Sequence, residues 1–173
     1  MLHFKLFHAL DQSLYALDGL CIVATCAESA DGTVSLDAEG NERKSICYRD
    51  LDAIGAGRRA GLEFAFITAE DTRLARFIAN RFGVSECIFG AKDKGKAFCE
   101  LAARLGLAPE EVCYIGDSDR DVAALDLAGI AVAPADATAK AKAAADFVTK
   151  AAGGGGVLWE TVERIAQING EQA

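Results

Sequence analysis

Histidine is scarce in this sequence: two occur in 173 residues, His3 and His8, both near the start. Six cysteines are present (Cys21, Cys26, Cys47, Cys87, Cys99, Cys113), and no two of them have C-x-x-C spacing. These gaps exclude the usual zinc-site and thioredoxin-type readings, which need clustered imidazoles or thiolates. No apolar run reaches the ~18 residues that a membrane span needs. Positive charge is also short: 18 Lys and Arg against 26 Asp and Glu leave a formal net charge of −8. That balance argues against a nucleic-acid backbone or an anionic membrane as the main partner, while local basic groups can still bind a small anion. The scattered cysteines, mostly among apolar neighbours, read as reduced core thiols of a cytoplasmic protein.

What is present suits one domain over residues 1–173, long enough for a single sizeable core, with 51% hydrophobic residues and so no signature of disorder. The opening "MLHFKLFHALDQSLYAL" is interrupted by polar and charged residues, which is unlike a signal peptide. Leu2, Leu6, Leu10 and Leu14 recur every fourth residue, predicting a helical segment within 1–19 that packs by one apolar stripe. From Leu20 strand-like and helix-like stretches alternate. "LCIVA", "LEFAFI", "ECIF", "VCYI", "IAVA" and "DFVT" read as strands, with amphipathic helices between them. Asp71 is the candidate N-cap of "DTRLARFIANRF", which Gly83 stops. Residues 32–48 read as a β-hairpin turning at Gly40 and Asn41, and 151–173 as a Gly-rich tail with a last helix. This alternation implies an α/β fold with a largely parallel sheet, whose ligands bind beyond the carboxyl ends of the strands.

Three of those ends carry chemistry. Thr68 follows "LEFAFI"; its hydroxyl could hold a phosphate oxygen, or merely cap a turn. Lys92, Lys94 and Lys96 crowd a helix start, where the dipole disfavours cations unless an anion is bound; otherwise they are a solvated charge run. "GDSDRD" follows "VCYI": Asp117 could hold a hard cation and Asp121 could orient a neighbour, or Ser118 or Asp119 simply caps the next helix.

Threonine, then lysine, then Gly-Asp-x-x-x-Asp, each after a successive strand, resembles the haloacid-dehalogenase (HAD) superfamily of phosphotransferases. The likeness is closest to its small capless branch, the 3-deoxy-D-manno-octulosonate 8-phosphate (KDO8P) phosphatases. It covers nearly the whole chain from about Leu20, through "GAKDKGKAF", "LAPEEVCYIGDSDRD", "AGIAVAPADA" and "AADFVTKAAGGGG". The resemblance implies a Rossmannoid three-layer fold with a mostly parallel sheet and a β-hairpin insertion after the first strand. It also implies Thr68 and Lys94 as phosphate-binding residues, Asp117 and Asp121 as Mg²⁺ residues, and a homotetramer.

The family's first motif, Asp-x-Asp-Gly, departs from this pattern. Asp31-Gly32 fits the Asp-Gly pair that ends the branch's longer form, and counting back puts Ala24 at the nucleophile position and Cys26 at the acid–base position. "LDG" at 17–19 precedes the strand and has Ala16 two residues before Asp18, so it is no substitute. A Cys26 thiol would need activation to a thiolate, and the carboxylate that both attacks and holds Mg²⁺ is lost either way. Thr25 points elsewhere in a pleated strand. Further departures are Glu70 where the family has arginine, Ser118 where it has a second aspartate, and Gly155 and Trp159 where arginines are common. The expectation is a HAD-fold protein without phosphatase activity, at most a weak vestigial Mg²⁺ site, and a binding or assembly role. The rivals are a Mg²⁺-dependent phosphatase of a phosphorylated keto sugar acid, and a metal-free sensor of phosphate or a sugar phosphate.

Overall fold

Short apolar stretches buried on both faces suit the interior of a parallel sheet, where crossover helices cover both sides. The chain builds its fold from these. A computed structural model describes residues 21–25, 35–40 and 42–168. The expected helix within 1–19, together with Cys26, Asp31, Gly32 and Asn41, lies outside the described residues.

Strands β1 (Cys21–Thr25), β4 (Glu63–Ile67), β5 (Glu86–Ile88), β6 (Val112–Ile115), β7 (Ile130–Ala133) and β8 (Phe147–Val148) form one sheet in the order β5-β4-β1-β6-β7-β8. Every pairing in it is parallel. Strands β2 (Ser35–Leu36) and β3 (Glu42–Arg43) pair antiparallel as the expected hairpin insertion, with Gly40 in its turn at φ 82°.

Strand alternation sends successive side chains to opposite faces. Ile22, Ala24, Phe66 and Ile115 share one core with helices α1 (Tyr48–Arg59), α2 (Arg73–Arg81) and α6 (Val157–Ile168). Val23, Ile67, Tyr114 and Ala131 share the other with α3 (Lys94–Leu105), α4 (Val122–Leu127) and α5 (Ala139–Ala144). The result is the three-layer α/β fold that the sequence implied. Sheet order places β1 at the centre, with β4 on one side and β6 on the other. The direction of strand succession reverses there, which is where an open α/β sheet offers a crevice.

Two local readings need correction. Thr72, not Asp71, caps α2: its hydroxyl accepts from Ala75 N–H at 3.1 Å, whereas Asp71 pairs with Arg76. Neither Ser118 nor Asp119 caps α4. That position falls to Asp121, which makes no side-chain cap bond. Gly83 and Gly106 end α2 and α3 in the left-handed region, as helix-stopping glycines do.

Among the described residues, no helix is long and apolar enough to cross a membrane. Of their cysteines, Cys21 and Cys113 are buried and Cys99 is exposed.

Candidate functional site: the strand-end cleft around Thr68, Lys94 and Asp117

The carboxyl ends of β4, β1 and β6 stand side by side. In register, Ala24 lies between Phe66 of β4 and Ile115 of β6. Its methyl group is 4% exposed and belongs to the apolar core of the α1–α6 face. The strand therefore carries neither a nucleophile nor a metal ligand at position 24.

Thr68 directly follows β4 and is buried. Its N–H donates to Ile88 O at 2.9 Å and its carbonyl accepts from Ala91 N–H at 2.8 Å, which locks the β4 end to the β5–α3 loop. Its hydroxyl accepts from Glu70 N–H at 3.1 Å, the turn-capping role that the sequence allowed.

The structure sorts the three crowded lysines. Lys92 and Lys96 are exposed, while Lys94 is 6% exposed. Its ammonium donates to Ile67 O at 2.9 Å and stands 3.8 Å from Asp121 Oδ1. A cation at a helix start opposes the dipole; the strand-end carbonyl and the carboxylate offset that penalty. Asp93 supplies the ordinary cap, accepting from Lys96 N–H at 3.0 Å.

The three aspartates after β6 have three different fates. Asp119 is a surface residue paired with Lys140 at 2.7 Å. Asp121 is 1% exposed and held at both oxygens: Tyr114 hydroxyl donates to Oδ1 at 3.0 Å, and Ser118 donates to Oδ2 through its N–H (3.0 Å) and its hydroxyl (2.6 Å). Burial, then the Asp121 charge, drives the Tyr114 pKa far up, so the phenol stays a donor. Gly116 makes the arrangement possible, because a Cβ there would stand 2.5 Å from Asp121 Cβ. Asp117 is exposed, two residues beyond the β6 end. Desolvation of its carboxylate by the surrounding residues, then the Asp121 charge, raises its pKa above the ordinary carboxylate value, with Lys94 opposing. Its exposure limits the desolvation part of that effect.

Among the described residues, this donor set fits Mg²⁺ poorly. The ion prefers octahedral oxygen ligands and sheds water reluctantly. Asp117 is the one outward carboxylate of the pair; Asp121 is committed to Tyr114 and Ser118, and its nearest cation is the fixed ammonium of Lys94. Among the described residues, no group of three or more His, Cys, Asp or Glu side chains could hold a metal ion.

Two further charged residues escaped the sequence reading. Asp50 in α1 is 2% exposed and accepts from Gly156 N–H (3.2 Å) and Leu158 N–H (2.9 Å), capping α6 from another helix. The Lys44 side chain is buried and its ammonium pairs with Glu70. Both pairings join residues far apart in sequence, so no local pattern announces them. A cleft of about 560 Å³ between β8 and α6, lined in part by Arg49, Trp159 and Arg164, shares no lining residue with the strand-end site.

Fold and strand-end residues together define a class, and comparison with known proteins agrees. Residues 64–160 match the haloacid dehalogenase-like hydrolases, and the chain belongs to that family, in its KDO8P-phosphatase-like branch. It is 31% identical over 142 residues to the 3-deoxy-D-manno-octulosonate 8-phosphate phosphatase of Escherichia coli K12, spanning 82% of this chain and 76% of that protein. The solved phosphatase from Moraxella catarrhalis, in complex with magnesium, phosphate and KDO, superposes with a TM-score of 0.80 at 27% identity over 88% of each chain. The cobalt-bound Haemophilus influenzae enzyme gives 0.81 at 27% identity, over 90% of this chain and 92% of that one. Thr68, Lys94, Asp117 and Asp121 fall inside the matched residues 64–160; Ala24 and Cys26 precede them.

Proposed function

We propose that this chain is a catalytically silent member of the KDO8P-phosphatase-like branch, kept for binding or assembly. One observation carries the reading: position 24, between the ends of β4 and β6, presents a buried methyl group. In-line attack on phosphorus needs a nucleophile, and a phosphoryl transition state needs its charge neutralised. Ala24 supplies neither, and Cys26 stands at the position of the acid–base residue. Thr68 and Lys94 remain as an anion-binding pair for phosphate or a sugar phosphate without a metal. The chain acts in the cytoplasm as a single domain, as a homotetramer in which hairpins and Gly-rich tails pack on neighbours.

The opposing reading is a working Mg²⁺-dependent phosphatase of a phosphorylated keto sugar acid. The convergence of Thr68, Lys94 and Asp117 favours it. A Mg²⁺ titration of the wild type beside the double variant Ala24→Asp/Cys26→Asp separates the two. The silent reading expects weak binding in the wild type and much tighter binding in the variant. Tight wild-type binding, or no change in the variant, contradicts it.

A further inference from the structure

The cleft between β8 and α6 has fastened walls. Asp50 of α1 accepts from Gly156 N–H at 3.2 Å and from Leu158 N–H at 2.9 Å, which ties the start of α1 to the start of α6. Glu160 of α6 accepts from Lys150 N–H at 2.9 Å and from Ala151 N–H at 3.0 Å, which ties the chain leaving β8 to the same helix. Gly156, at φ 108°, lies beside Arg49: a Cβ there would stand 3.6 Å from Arg49 Cδ. Trp159 and Phe147 line the cleft and also pack against the core of the α1–α6 face, so the apolar wall is anchored from behind. At about 560 Å³ this concavity lies in the range of about 300–1,000 Å³ usual for small-molecule sites.

Its chemistry differs from that of the chain as a whole. The chain carries a formal charge of −8, yet the cleft gathers Arg49, Lys150 and Arg164 against Glu160 and Glu163. Both Glu160 oxygens already accept backbone N–H bonds. A local excess of cations favours a small anion. Guanidinium groups meet phosphate oxygens through paired donors, and they also lie flat on aromatic rings. The indole of Trp159 offers a ring face of its own. A cavity of about 150 Å³ holds one benzene, so this cleft has room for a ring, a sugar and a phosphate together. Glu163 and the Gln167 amide add acceptors for sugar hydroxyls.

We propose that the cleft between β8 and α6 is a second ligand site, for a nucleoside monophosphate: an aromatic base read by Trp159 and a phosphate read by the arginines. The proposal stands apart from the reading of Thr68 and Lys94, with which the cleft shares no lining residue.

Trp159 is the single tryptophan of the chain, so its fluorescence reports on this cleft. The experiment is a fluorescence titration with AMP, adenosine and ribose 5-phosphate. AMP should change the emission saturably, with adenosine and ribose 5-phosphate each at least tenfold weaker. Arg49→Met or Arg164→Met, both at exposed positions, should weaken AMP at least tenfold. No saturable change with AMP, or either fragment binding within tenfold of it, overturns the proposal. So does an AMP affinity that neither arginine variant alters, which would place the nucleotide elsewhere on the chain. The wild-type comparison of AMP with its fragments decides even where a variant does not fold.

Discussion

Replacing Lys94 by methionine keeps the side chain's length and most of its apolar volume while deleting the ammonium. In the folded chain that ammonium gives Ile67 O a 2.9 Å bond and lies 3.8 Å from Asp121 Oδ1, the two side chains being 6% and 1% exposed. At 3.8 Å the contact with Asp121 is coulombic rather than a hydrogen bond. Removing one member of a buried pair strands the other, at a cost of about 3–5 kcal/mol. Asp121 keeps its bonds from Tyr114 and Ser118, which places the expected loss at the lower end, about 3 kcal/mol. For a chain of this size each kcal/mol moves the unfolding midpoint by about 2–4 °C, so the midpoint should fall by about 6–12 °C. Thermal and urea unfolding at pH 7, followed by far-UV circular dichroism, reads this directly. The charge argument makes a second demand. Adding Asp121→Asn removes the stranded charge, so the double variant should lose less than the sum of the single losses by about 1 kcal/mol or more. A loss below about 1 kcal/mol for Lys94→Met, or strict additivity, would refute the coupling.

Two further outcomes follow from packing and capping. Asp50→Ala leaves the Gly156 and Leu158 N–H groups without their acceptor and should cost about 2–5 kcal/mol, read by urea unfolding. Burial raises the Asp50 pKa despite the bonds that oppose it. The folded state therefore binds that proton more tightly than the unfolded one. The stability difference between wild type and Asp50→Ala should be largest below about pH 3.9 and shrink as pH rises through the raised folded value. Gly129→Ala would put a Cβ 2.0 Å from Glu110 O, against backbone that cannot swing aside. It should cost about 3 kcal/mol, lowering the midpoint where a surface Gly→Ala change would not.

The sheet was legible because its strands are short apolar runs bounded by turn residues, and "IAVA" became β7 without a residue added or lost. Helix ends were legible where a glycine carried a positive φ, at Gly83 and Gly106. Starts were harder, since adjacent candidates compete: Thr72 took the cap because its hydroxyl faces Ala75 N–H, leaving Asp71 to Arg76. Within the site, strand succession placed Thr68, the three crowded lysines and Asp117 at one edge, and only the family resemblance singled out Lys94. Strand succession itself could not tell Lys94 from Lys92 and Lys96, because burial separates them and sequence spacing does not. Ser118 illustrates the same limit: a helix-capping residue by type, it turns inward to Asp121. Lys44 with Glu70 and Asp50 with α6 join positions 26 and 106 residues apart, contacts that only the folded chain creates.

The most direct measurement is phosphate release by the wild-type chain, with Mg²⁺ present, from KDO 8-phosphate and from a panel of small phosphomonoesters. A strand that carries a core-buried methyl group and no carboxylate at position 24 predicts no release above the uncatalysed background, with slow release appearing in Ala24→Asp/Cys26→Asp. Wild-type turnover at ordinary enzyme rates, about 1–10³ per second, would contradict the account.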